Sequence, residues 1–440
     1  MAWQLAPALQ TRTSLETSLF EGAFAELASA CAAGGVITAW ALYLDLSPLL
    51  IGVLGALPFT AQLVQLPASW ITRRFGSRKT ALWTVALSRQ CILPLAVLPF
   101  LDLSAQSRQA VFLTCTLLAS ALGVAGNNAW TSWMGDLVPS RLRGRYFGRR
   151  ASVCALAATC SSLFAGLLLD RGRSVGHAAA ALCALTVVAS LAGLVTTLLL
   201  RRQHQPRHAS APEAATLGEM LAPLHDPRGR RLIAFQVAFC AAGGLSAAFY
   251  PLHMIGNLRM GFTRMALYAA TIAAFRMLAA PAWGRALDRR GARPVLATCA
   301  FALSLSPLLW LFASEGRLWP LAFDAALCGV GNAGISLATF SLPIALSQPR
   351  QRSFYVGVLA AAGGAATGIA SACGGAAAQV LPAAWSLLGQ PLHSSHALFL
   401  AGGVARFLAA FLALRIVERP LARVLRLPVR EAEGRAKLTA

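Results

Sequence analysis

The stretch Gly284-Arg285-Ala286-Leu287-Asp288-Arg289-Arg290-Gly291-Ala292-Arg293 packs five charges into ten residues between two apolar runs, 264–283 and 294–314. A helix crosses the ~30 Å hydrocarbon core of a bilayer in ~20 residues at ~1.5 Å rise. Each flanking run is long enough to do so, and the charged decapeptide reads as the loop between two spans. Outward from it, comparable runs occupy 20–44, 48–68, 80–100, 109–133, 151–169 and 177–200, then 232–255, 318–343, 355–382 and 397–417. The pattern predicts twelve membrane-spanning helices.

Composition excludes the alternative of a soluble chain. A 440-residue soluble protein would hold about three domains, with about a quarter of its residues charged. Here 57% of residues are hydrophobic and 12% charged, and the mean hydropathy is +0.61. Buried soluble helices would need a polar exterior that this chain does not have. The net charge of +22, from 38 Lys+Arg against 16 Asp+Glu, could mark a nucleic-acid binder, but its distribution says otherwise. With the N-terminus in the cytoplasm, 29 basic residues fall in inner segments and six in outer loops (Arg108, Arg171, Arg173, Arg259, Arg264, Arg317). Arg89, Arg276 and Arg406 fall inside spans. That asymmetry is the positive-inside signal and predicts cytoplasmic termini; no nucleic-acid partner is expected.

Residues 1–17 hold one Arg, and the first apolar run is a full span without a small-residue cleavage site, so no secretory signal peptide is expected. All ten cysteines lie in apolar runs without CxxC spacing, which argues against a disulfide framework or a zinc site. His393 and His396, and His204 and His208, read as solvated histidines. No metal and no cofactor are expected.

The chain repeats itself. Cys31-Ala-Ala-Gly34-Gly35 recurs as Cys240-Ala-Ala-Gly243-Gly244, an offset of 209. Ser69-Trp-Ile-Thr-Arg73-Arg74-Phe-Gly76-Ser-Arg78-Lys79 aligns with the stretch from Gly284, an offset of 215. Gly123-Val124 before Asn127-Asn128 matches Gly329-Val330 before Asn332, an offset of 206. Three pairs in order at nearly one offset indicate two homologous six-helix halves: residues 1–200 and 232–418, joined by a basic cytoplasmic linker, 201–231, and followed by a basic tail, 419–440.

With these features the chain resembles transporters of the major facilitator superfamily over nearly its whole length. The family's loop motif runs Gly, three residues, Asp, Arg, one residue, Gly, then Arg or Lys. Gly284, Asp288, Arg289, Gly291 and Arg293 fit it. The first-half copy keeps Gly76, Arg78 and Lys79 but has Ser69 for the Gly and Arg73 for the Asp. Trp133-Met-Gly-Asp136-Leu-Val-Pro139 through Arg143-Gly144-Arg145-Tyr146-Phe147-Gly148-Arg149 is similar to bacterial members at their 4–5 loop. The resemblance implies an all-α integral membrane protein, twelve helices in two pseudo-symmetric six-helix bundles, alternating about a central site. It implies that helices 1, 4, 7 and 10 line the cavity, helped by 2, 5, 8 and 11, with 3, 6, 9 and 12 peripheral. It also implies a cytoplasmic latch, in which Asp288 faces the positive end of a neighbouring helix and Gly284 and Gly291 allow a tight turn. Arg73 cannot replace Asp288's counterpart, and Asp136 becomes the acid for nearby arginines.

Ionisable groups at membrane depth are costly and point to a pathway or an internal pair. Glu26 on the first helix is the first candidate for carrying a proton, with Asp324 on the tenth second, its plain reading being a wetted interfacial acid. Arg276 on the eighth helix is the candidate for meeting an anionic solute or pairing with Glu26. Glu21 reads as a structural acid at the start of helix 1. Arg89, about 14 Å into its span at ~1.5 Å per residue, and Arg406 read as internally paired or snorkelling groups. Asn127, Asn128, Asn332, Gln236 and Tyr250 are polar candidates for the cavity wall, against plain interhelical hydrogen bonding. Gly363, Gly364, Gly368, Gly374 and Gly375 on helix 11 allow close helix approach.

These residues predict a secondary transporter in the bacterial plasma membrane. It moves a small organic solute, is coupled to protons, sits in lipid and acts as a monomer. The alternative is a transporter-like receptor or assembly subunit, to which the altered first-half motif gives slight support. No P-loop occurs, no nucleophile–base constellation supports an enzyme, and helix 5 lacks the Gly-Pro-rich motif of proton–drug antiporters.

Overall fold

The computed structural model describes residues 2–138, 143–205, 223–346, 352–381, 384–387 and 390–417. Eleven of the described helices are long and apolar enough to cross a membrane. Spans 1 and 3 to 6 are Thr11–Tyr43, Ser77–Phe100, Ala105–Gly135, Tyr146–Ser174 and Ala178–Arg202. Spans 7 to 12 are Pro227–Gly256, Gly261–Arg290, Ala292–Phe312, Trp319–Pro343, Tyr355–Val380 and Ser394–Leu414.

The second of the twelve expected spans is interrupted. An α-helix over Pro48–Thr60 passes through a 3₁₀ turn, Ala61–Val64, into a second helix, Gln65–Phe75. Two prolines explain this. Pro58 and Pro67 have no N–H to give to the carbonyls of Leu54 and Leu63, and their rings crowd those carbonyls. The helix still starts cleanly, with Pro48 in its first turn and Ser47 Oγ accepting from Leu50 N at 3.4 Å. Between spans 11 and 12 lies an antiparallel two-strand hairpin, β1 (Ala384–Leu387) and β2 (Gln390–His393), which helix-period reading did not expect.

Span 1 is also broken, at Cys31-Ala-Ala-Gly34, between helices Ala2–Ala30 and Gly35–Tyr43. Gly34 has φ +54° there. Its repeat, Cys240-Ala-Ala-Gly243-Gly244, stays inside the continuous helix Pro227–Ala247. Glycine serves packing in that copy: a Cβ on Gly244 would stand 2.4 Å from the Thr367 carbonyl of span 11. The loop repeat, by contrast, is conformational. Gly76 and Gly291, 215 residues apart, each form a one-residue hinge between consecutive helices, with φ +88° and +86°. Gly284 is not part of the turn as expected; it lies within the helix Gly261–Arg290.

Each half has its own apolar core, one around Trp40, Phe112, Leu182 and Leu185, the other around Phe235, Leu296, Leu342 and Ala410. The halves meet along spans 2 and 11 and along spans 5 and 8. A Cβ on Gly52 would lie 2.6 Å from Gly375 Cα, and Ser371 Oγ donates to the Gly52 carbonyl at 2.9 Å. Across the second seam, Asp170 closes span 5 onto the first turn of span 8. Its carboxylate accepts from Phe262 N (2.8 Å), Thr263 N (2.8 Å) and Thr263 Oγ1 (2.6 Å). An acid that satisfies free N–H groups at a helix start is doubly favoured, by hydrogen bonding and by the helix dipole. Both contacts lie at the end expected to face outward, where Ile255 and Phe262 of the second half join the first half's core.

Candidate charged cavity

A cavity of about 490 Å³ opens within the first half. Glu21, Glu26 and Ser29 reach it from span 1, Ser88 and Arg89 from span 3, Asn127 and Trp130 from span 4, and Arg150 from span 5. Trp40, Ile92, Leu95 and Phe112 supply apolar wall.

Its charges are one closed ion pair and two groups without one among the described residues. Arg150 Nη2 meets Glu21 Oε2 at 3.0 Å with both side chains largely buried, and the guanidinium lies over the Trp130 ring at 4.2 Å. Gly22 makes room: a Cβ there would stand 3.0 Å from Arg150 Nη2 and 2.8 Å from Cys154 Sγ. Glu21 is thus not at the start of helix 1. That helix begins at Ala2, and Glu21 is a buried ion-pair member well inside it. Arg150 precedes the apolar run 151–169 in the sequence, and the helix Arg143–Ser174 carries it inward.

Arg89 and Glu26 are the other two charges. Arg89 Nη1 donates to Ser29 Oγ at 3.0 Å, and no carboxylate lies within 4.0 Å of it among the described residues. Glu26 is half-buried on the same wall and likewise has no ion pair among the described residues. The cations around Glu26 are Arg150 and Arg89, so the expected pairing with Arg276 is corrected. Arg276 stands exposed on span 8, in the other half, and donates to Ser336 Oγ at 3.2 Å. Arg89, expected to snorkel or pair, instead reaches the cavity because span 6 presents Gly193 behind it. A Cβ at Gly193 would stand 2.4 Å from Arg89 Cβ.

The sequence profile of the Major Facilitator Superfamily matches residues 22–277 and again 232–438. The chain belongs to the Major Facilitator Superfamily. Solved structures agree on the fold. The nucleoside transporter NupG superposes with a TM-score of 0.67 at 12% identity, over 91% of this chain and 98% of that one. A bacterial homologue of the iron transporter ferroportin, in its inward-facing state, gives 0.68 at 16% identity over 92% and 99%. A POT family transporter in complex with 5-aminolevulinic acid gives 0.66 at 12% over 91% and 95%. At such identities the likeness is one of fold alone. No curated protein matches the sequence. Membership makes the chain an integral membrane transporter by family and points away from an enzyme.

Spans 3 and 6 contribute to this cavity through Ser88, Arg89, Thr186 and Thr196, although they were expected to be peripheral. Of the polar candidates, Glu26 and Asn127 line it; Asp324, Arg276, Asn128, Asn332, Gln236 and Tyr250 do not. Asn128 Nδ2 donates to the Gln65 carbonyl at 3.2 Å, beside the interruption in span 2. Gln236 Nε2 donates to Cys240 Sγ at 3.2 Å, one turn along its own helix. Asn332 is exposed on span 10. Tyr250 stacks on Phe399 with ring centroids 4.4 Å apart.

Asp324 is no wetted interfacial acid. It is 0% exposed and accepts from Ser306 Oγ (2.5 Å), Trp310 Nε1 (2.9 Å) and the Tyr268 hydroxyl. It lies near the start of its helix, but spans 8 and 9 pack over it, and three donors offset the cost of burying a carboxylate. His396 is buried as well, at 4% exposure, against a buried His253 whose ring lies 4.7 Å away and meets Ser395 and Asn257. The solvated reading fails for His396. No group of three or more His, Cys, Asp or Glu among the described residues could hold a metal ion.

The motif residues sit at the other end of the bundle. Arg78 Nη2 donates to the Arg201 carbonyl at 2.6 Å, capping the C-terminal end of span 6, where a cation also suits the helix dipole. Asp288, Arg289 and Arg293 are exposed around the Gly291 hinge. Among the described residues Asp288 has no ion pair. The side chain of Asp136 lies outside the described residues.

Proposed function

We propose that this superfamily member is a secondary active transporter that moves a small organic solute by alternating access, coupled to protons, and that the first-half cavity is its solute and proton site. The observation that carries the reading is Glu26: a carboxyl on a cavity wall inside the first span, without an ion-pair partner among the described residues, beside Arg89. An acid at that depth that no ion pair holds is expensive and points to a pathway. Gaining or losing one proton there changes the charge of the cavity by one unit, which a bound solute would feel.

In this reading the halves 1–200 and 232–418 rock against one another, tethered by 201–231. Both termini face the cytoplasm of a bacterial cell, as the basic residues indicate, and one chain suffices. Asp324, held by three donors, supports the second bundle and carries no proton in the cycle.

The test is purified protein in proteoliposomes, assayed for uptake of a broad solute panel under an imposed proton gradient. Glu26→Gln is expected to abolish gradient-driven accumulation while leaving exchange across equilibrated membranes. Accumulation unchanged in Glu26→Gln would overturn the proton assignment. A folded protein that moves no solute would overturn the transport reading.

A further inference from the structure

We infer that the first-half cavity recognises a solute with one carboxylate, which docks on Arg89 with its apolar remainder against Ile37, Val85 and Ala119. The inference rests on the proposed site but concerns binding, which is measured apart from transport.

The two cavity arginines differ in availability. Arg150 is committed to Glu21 at 3.0 Å and to the Trp130 face at 4.2 Å. Arg89 has one side-chain partner, Ser29 Oγ at 3.0 Å. Yet none of its nitrogens is among the buried polar atoms without a hydrogen bond, so the rest of its fork opens into the cavity. A guanidinium carries five donors in a plane that matches a carboxylate bidentately. Being permanently charged, it cannot escape desolvation by losing its proton.

The position is held from behind. Gly193 lets the Arg89 stem lie against span 6, with no room for even a methyl group there, and Ser29 fixes one end of the fork. A cation so placed, with open donors, is a prepared receptor for an anion.

Size and wall chemistry narrow the class. About 490 Å³ lies within the ~300–1,000 Å³ typical of small-molecule sites, and the aromatic and aliphatic wall favours a body that is not itself charged. The charged and titratable groups around Glu26 are Glu21, Arg89, Arg150 and Cys154, with Tyr146 beyond Glu21 and Arg150. With Glu26 ionised the two acids balance the two arginines. With Glu26 protonated one positive charge is left over at Arg89, and a monoanion restores neutrality. Proton and carboxylate therefore favour each other's binding, and by linkage the effect is reciprocal.

The experiment measures binding to purified full-length protein in detergent, without any gradient. A panel of C3 to C10 monocarboxylates (aliphatic, aryl and 2-oxo) is compared with the matching primary amides by thermal stabilisation and calorimetry. At least one acid is expected to bind tenfold or more tightly than its amide. Arg89→Gln is expected to weaken that acid about 10- to 100-fold and leave the amide unchanged. Arg89→Lys, which keeps the charge but loses the fork, is expected to fall between and guards against a misfolded glutamine variant. Glu26→Gln is expected to tighten acid binding at neutral pH. The inference is overturned if no acid outbinds its amide, or if folded Arg89 variants bind the acid like wild type. Acid binding without transport would leave this inference standing and remove the proposed function.

Discussion

Asp170 offers a direct handle on the seam between the halves. Its carboxylate, from span 5, takes the amides of Phe262 and Thr263 and the Thr263 hydroxyl, all at 2.6–2.8 Å. A hydrogen bond to a charged group contributes about 1.5–3 kcal/mol net, and an acid at a helix N-terminus about 0.3–1 kcal/mol more. The three bonds share one carboxylate, and the freed groups can turn to water when the seam opens. Asp170→Ala should therefore cost the clasped state on the order of 2–4 kcal/mol. At 1.4 kcal/mol per tenfold, that moves the clasped-to-open ratio about 30- to 700-fold. Hydrogen exchange read by mass spectrometry on peptides covering 258–268 is the assay. Asp170→Ala is expected to lose amide protection at Phe262 and Thr263, with Asp170→Asn in between because it keeps one acceptor oxygen. Span 12, which packs against spans 7 and 9, should exchange as in wild type. Unchanged protection at 262 and 263 in a folded Asp170→Ala protein would refute the clasp.

Two further outcomes follow from the packing. The Glu21–Arg150 pair is largely buried. Removing one partner should cost about 3–5 kcal/mol, and removing both (Glu21→Gln with Arg150→Met) clearly less than the sum; additive losses in a denaturation double-mutant cycle would refute the pairing. The motif glycines should separate by conformation. Gly291→Ala, at φ +86°, is expected to destabilise by about 1–2 kcal/mol. Gly284→Ala, mid-helix with nothing within 4 Å of an added Cβ, should be neutral or stabilising by up to about 1 kcal/mol; equal losses on thermal unfolding would show that Gly284 has a role the helix does not explain.

Much of the architecture was legible because bilayer thickness imposes its own length on apolar runs. Eleven of twelve expected spans are continuous enough to cross, and the exception carries Pro58 and Pro67, both visible in the sequence. The hinge at Gly291 and its copy at Gly76 were equally readable, since a glycine between two charged clusters marks the turn. The candidate site was half readable. Glu26 and Asn127 reach the cavity, whereas Arg276 does not, because depth along a helix says nothing of azimuth. Arg150 was missed outright: a basic residue about two turns inside a helix looks like a loop charge until a buried partner, Glu21, is found opposite it.

By itself, then, the sequence determined what depends on one helix at a time: which segments leave water, which loops hold the charge, and where the chain repeats. Hydrophobic burial and the positive-inside bias act locally, so they can be read locally. Only the tertiary structure decided which buried charges are satisfied. Asp324 and Glu26 are both acids inside spans, yet Asp324 is closed off by Ser306, Trp310 and Tyr268, while Glu26 looks onto open space beside Arg89. That difference is made by neighbours from other helices, whose facing sides are set by packing.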